Sequence, residues 1–85
     1  MPKVLMYTTR VCPYCQMALH LLEKKGVEVE KVRVDEDAAR RREMKERLPG
    51  ATTVPQIFIG DRHIGGYREL AQLDAQGELD TLLER

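Results

Sequence analysis

Cys12 and Cys15 are the two cysteines of this chain, and only Pro13 and Tyr14 separate them. A pair so spaced can exchange electrons as dithiol and disulfide, supply half of a zinc site, or staple the backbone. A helix beginning at Pro13 puts Cys12 at its N-terminus and Cys15 one turn in. The sulfurs can then reach each other, with Cys12 facing outward. The first helical turn leaves backbone N–H groups unpaired, and the macrodipole puts partial positive charge there. A thiolate at Cys12 is stabilised by that field, which lowers its pKa below the roughly 8.5 of free cysteine. Pro13 suits the first helical position, because its missing N–H would have had no partner. Cys15, deeper in, stays a thiol until a mixed disulfide on Cys12 comes within reach.

Zinc needs two more ligands. The chain offers no second cysteine pair, His20 falls on the outer helix face, and His63 is remote with no second histidine near it. A staple across so few residues constrains little. Redox exchange leads, with zinc and a structural disulfide as the alternatives.

The elements that must hold this turn follow from the pattern around it. Val4-Leu5-Met6-Tyr7 is a continuous apolar run, as in a strand buried on both faces. Thr8–Val11 is the loop that delivers Cys12. From Pro13 to about Lys25 the apolar positions Cys15, Ala18, Leu19 and Leu22 recur at helical spacing, and Gly26 stops the helix. Val27–Val34 reads as a second strand, placed near 29–34 at an edge, whose alternation slips once between Val29 and Val32. Strand, helix, strand suggests a right-handed parallel unit. Asp37 is the expected N-cap of a second helix running to about Leu48, with a thin stripe of Ala38, Met44 and Leu48. Its basic run, Arg40-Arg41-Arg42, reads first as a solvated face offset by Glu43 and Glu46. Gln56–Ile59 and Arg62–Ile64 form a hairpin across Gly60-Asp61, with Pro55 at the strand's start. After Gly65-Gly66, Tyr67–Asp74 and Glu78–Leu83 are short helices turning Leu70, Leu73, Leu79, Leu82 and Leu83 inward.

The chain has 85 residues, enough for one small domain. Lys+Arg and Asp+Glu balance at 14 each, so no overall field draws the chain to nucleic acid or an anionic membrane. No apolar run approaches the ~20 residues of a membrane span, and the first residues lack a signal-peptide pattern. The expected compartment is the cytoplasm, where a cysteine pair is catalytic or metal-binding more often than structural.

Three motifs in order, Cys12-Pro13-Tyr14-Cys15, Thr53-Val54-Pro55 and Gly65-Gly66, resemble those of the short bacterial dithiol glutaredoxins, over nearly all 85 residues. The resemblance implies one thioredoxin-like α/β domain over 1–85: a four-stranded mixed sheet of order 2-1-3-4 with helices on both faces. It implies Cys12 as nucleophile, Cys15 as resolving thiol, and a cis Pro55 that brings the Val54 backbone beside Cys12. Glutathione would be the reductant, with no tightly bound cofactor and no metal. It would lie against Tyr14, Val54, Pro55, Gly66, Tyr67 and Arg68. Thr9 replaces a frequent family lysine, and adjacent Arg10 would supply its charge. Arg68 stands where the family commonly has Asp or Ser, with Glu69 as the substitute acceptor. Arg41 best matches the family's partner for the glycine carboxylate, which reverses the solvated reading of that arginine. The implied activity is glutathione-dependent reduction of protein disulfides and glutathionylated proteins by a monomer. Rival roles are reduction by thioredoxin reductase and iron–sulfur carriage, the latter disfavoured by Tyr14 and Cys15.

Overall fold

The computed structural model describes residues 2–84. Strand β1 (Val4–Thr8) is central, which explains its unbroken apolar run. It pairs parallel with β2 (Val29–Arg33) and antiparallel with β3 (Gln56–Ile59). Strand β4 (Arg62–Gly65) pairs antiparallel with β3, giving the order β2-β1-β3-β4. This is the mixed sheet that the resemblance implied, with β2 at an edge. Helices α1 (Pro13–Lys24), α2 (Ala38–Arg47), α3 (Tyr67–Ala75) and α4 (Glu78–Leu82) complete the fold.

Side chains alternate across a strand, so the sheet has two cores. On one face Val4, Met6, Ile57 and Ile59 pack with Ala18 and Leu22 of α1, Leu70 of α3 and Leu79 of α4. On the other, Tyr7, Val32, Val34 and Phe58 pack with Met44 of α2. The slip in β2 is thereby explained: Val29 serves the first core, Val32 and Val34 the second.

Helix α1 ends in a Schellman turn. Gly26, at φ 77°, donates to the Glu23 carbonyl and Val27 donates to that of Leu22. Val27 and Leu22 both enter the first core, so the cap also aims the chain at β2. Asp37 caps α2 as expected, accepting from the N–H groups of Ala39 and Arg40. The stripe of α2 is thinner still than its sequence suggested: Ala38 is exposed and Met44 alone is buried. Asp35 and Glu36 pair with Arg33 instead of serving the start of α2. Thr8 belongs to β1 and not to the loop after it.

Polar side chains tie α2 to the sheet. The Tyr7 hydroxyl, wholly buried, donates to Glu43 Oε2 at 2.5 Å and accepts from Arg47 Nη1 at 3.3 Å. The Arg47 guanidinium carbon lies 3.7 Å from the Phe58 ring centroid, and Phe58 meets Tyr7 edge-on. A helix with a thin apolar stripe is thus also held by this polar cluster.

Candidate active site at the Cys12–Cys15 turn

The turn is held at both ends. Ahead of it, the Val34 N–H donates to the Thr8 carbonyl at 3.0 Å and the Arg10 N–H donates to Asp35 Oδ2 at 3.1 Å. Asp35 is gripped in turn by Arg33, whose Nε and Nη2 donate at 2.8 and 2.9 Å. Arg33 first, and then the Arg10 N–H, hold the Asp35 carboxyl far below the usual carboxylate range. Behind the turn lies α1, with Pro13 in its first position.

Cys12 is the N-cap of α1, with extended backbone at φ −149° and ψ 96°. Its Sγ accepts the Cys15 N–H at 3.1 Å, one of the donors that a helix start leaves unpaired. The two cysteines are joined as a disulfide, their Cα atoms 5.2 Å apart. The expectation that Cys12 alone faces outward needs correction. Cys12 is 9% exposed and Cys15 4%, so both are nearly covered, with Cys12 the more open by a narrow margin. Both cysteines belong to the first core, and the Val54 carbonyl oxygen, in the loop before β3, lies 3.8 Å from Cys12 Sγ. The Val54–Pro55 bond is cis, as the resemblance implied.

Beside this contact opens a cavity of about 890 Å³. Tyr14, Val54, Pro55, Gly66, Tyr67 and Arg68 all line it. The Tyr14 and Tyr67 rings face each other with centroids 6.4 Å apart, and Tyr14 is strongly exposed. Glu69 reaches back from the third position of α3 to accept the Gly66 N–H at 2.7 Å. This carboxylate takes up a backbone N–H of Gly66, one of the residues the resemblance set against glutathione. Arg10 and Arg41 do not line this cavity. Arg41 is exposed and its Nε donates to the Val34 carbonyl at 3.0 Å, satisfying a group at the end of β2. Arg10 lies in the wall of a smaller cavity on another side of the disulfide.

Sequence reasoning missed a polar relay under the cavity. Gln56 Nε2 donates to the Thr53 carbonyl at 3.0 Å, and Gln56 Oε1 lies 2.8 Å from His63 Nε2. With the amide so oriented, His63 carries its proton on Nε2 and donates. The relay braces the loop that carries Val54. A glutamine opening the otherwise apolar run Gln56-Ile57-Phe58-Ile59 was the signal available. Among the described residues, no group of three or more His, Cys, Asp or Glu side chains is placed to hold a metal ion. Among the described residues, no helix is long and apolar enough to cross a membrane.

A disulfide-forming Cys-x-x-Cys pair at a helix start, on a four-stranded mixed sheet, faced by a cis-proline backbone, defines a thioredoxin-like thiol–disulfide oxidoreductase. The chain belongs to the glutaredoxin family, whose model matches residues 4–64. It is 51% identical over 84 residues to glutaredoxin 3 of Escherichia coli K12, covering 99% of this chain and all of that one. The solution structure of glutaredoxin from Brucella melitensis, 44% identical, superposes with a TM-score of 0.83 over 98% of this chain and 89% of the other. A buckwheat glutaredoxin–glutathione complex, 24% identical, shares the fold with a TM-score of 0.85 over 98% and 77% of the two chains.

Proposed function

We propose that Cys12 is the attacking sulfur, that Cys15 resolves, and that glutathione is the reductant. The Cys12 thiolate attacks one sulfur of a protein disulfide, forms a mixed disulfide and releases the other sulfur as a thiolate. Cys15 then attacks the Cys12 sulfur, frees the protein's second thiol and closes the Cys12–Cys15 disulfide. Two glutathione thiols reduce that bond and leave as glutathione disulfide. With a glutathionylated protein, Cys12 takes the glutathione and releases the protein thiol. A second glutathione then frees Cys12, so this route does not use Cys15.

The observation that carries this reading is the cavity of about 890 Å³ that opens beside the Cys12–Val54 contact. Its Val54 backbone suits pairing with an extended peptide such as the cysteine of glutathione. Tyr14 and Tyr67 would flank the tripeptide. Gly66, the start of α3 and Arg68 would receive the γ-glutamyl carboxylate, with Glu69 accepting from the ammonium. Glu69 must then exchange the Gly66 N–H for the ligand. The buckwheat relative, solved with glutathione, lends the same direction. Arg41 would reach the glycine carboxylate only by leaving Val34, and Arg10 would act from outside this cavity. The same reading takes the protein as a monomer that works in the cytoplasm, where the glutathione pool is kept reduced.

The test is turnover of a glutathionylated peptide with glutathione and glutathione reductase, against thioredoxin reductase alone. Turnover in the first arm supports the proposal. Turnover in the second arm only would overturn it.

A further inference from the structure

A second cavity, about 330 Å³, is lined in part by both cysteines and shares no wall residue with the first. Cys12, Cys15, Gln16, Arg10, Lys31 and Arg33 contribute to its wall, which contains no carboxylate. Its origin is the slip in β2. In the parallel register Met6 faces Lys31 and Thr8 faces Arg33, so these four side chains share one face of the sheet. On that face β2 begins apolar at Val29, which packs against the first core, and then turns cationic beside the disulfide. A strand whose inner face was covered throughout would not carry Lys31 and Arg33 there.

The charges are unevenly committed. Arg33 is already paired with Asp35 and Glu36. Glu30 lies on the opposite face and pairs with Lys3 and Arg40. Arg10 and Lys31 have no ion-pair partner among the described residues. The formal net charge of the chain is zero, so this local excess is not a consequence of composition. Strand β2 is also an edge, open along its outer side to an extended segment.

We propose that this groove docks an acidic segment flanking the target disulfide of a protein substrate. The segment lies along β2 with its carboxylates toward Lys31 and Arg10, while the target sulfur reaches Cys12. Glutathione keeps the other cavity, so the reductant and the protein substrate approach from different sides. The inference rests on the dithiol chemistry and not on glutathione as reductant.

The experiment uses the pre-reduced protein in single turnover, without glutathione. Three peptide disulfides differ only in flanking residues: aspartates, lysines or serines. At low salt the aspartate peptide is reduced about fivefold faster than the lysine peptide, from two contacts with exposed cations. About 1 M salt, where the Debye length is ~3 Å, removes the difference. Lys31→Glu abolishes or inverts the preference, Lys31→Gln reduces it, and both leave the serine peptide unchanged. Equal rates for the aspartate and lysine peptides would overturn the proposal, as would a preference that neither Lys31→Glu nor salt moves. Failure of glutathione in the coupled assay would leave these rates as they are, so the two readings fail separately.

Discussion

Replacing Tyr7 by Phe removes one buried hydroxyl and keeps the ring against Phe58. The hydroxyl donates to Glu43 at 2.5 Å and accepts from Arg47 at 3.3 Å. Hydrogen bonds to charged groups contribute about 1.5–3 kcal/mol. Glu43 is partly exposed and can rehydrate in the variant, so the lower end applies, about 1–2 kcal/mol. For 85 residues the unfolding entropy is roughly 0.18 kcal/mol/K, so Tm falls by about 6–11 °C at pH 7. The loss also has a pH signature. Burial first, and then the hydrogen bond to Glu43, raise the Tyr7 pKa above its ordinary 10.0. The folded chain therefore holds that proton more tightly than the unfolded chain. The stabilisation is complete below about pH 10 and is lost as pH rises from there through the folded-state value. Thermal melts of both proteins in the same redox state should show a gap that is constant near neutrality and narrows in alkali. A variant that melts within about 2 °C of the parent at pH 7, or a gap that widens in alkali, would refute the reasoning.

Three further outcomes follow from the site. Cys15→Ser should still turn over glutathionylated peptides and lose the two-thiol closure on protein disulfides; loss of both activities would remove the monothiol route. Gly65→Ala forces a side chain into φ +115°, with its Cβ about 2.9 Å from Glu69 Oε1, displacing the carboxylate that caps Gly66. A loss of about 2 kcal/mol is expected in urea, and Glu69→Ala on top of it should cost less than it does alone, because the cap is already gone. Asp35→Asn weakens the grip of Arg33 on the loop before Cys12. The Arg10 amide should exchange with solvent about five- to tenfold faster, and an unchanged rate would show that Asp35 does not hold this loop.

What the sequence determined by itself was local. Pro13 after Cys12, Gly26 after Lys25, Asp37 before Ala38 and Gly60-Asp61 between two β-rich runs mark boundaries because each acts within a few residues. The position of β1 in the sheet was legible for a related reason: a strand covered on both faces has no solvent side to make polar. The order of the remaining strands and the cis state of Val54–Pro55 came from the resemblance, since periodicity does not encode pairing partners. Tertiary structure alone decided the contacts that span the chain. Packing brought Val54 to Cys12 across 42 positions and Glu43 to Tyr7 across 36. It also buried Cys12 more deeply than a helix start requires. The break in β2 was visible as an irregularity. It became a basic groove beside the disulfide only when the parallel register set Lys31 across from Met6 and Arg33 across from Thr8. Register depends on how both sheet faces are filled at once, and no short window of sequence contains that information.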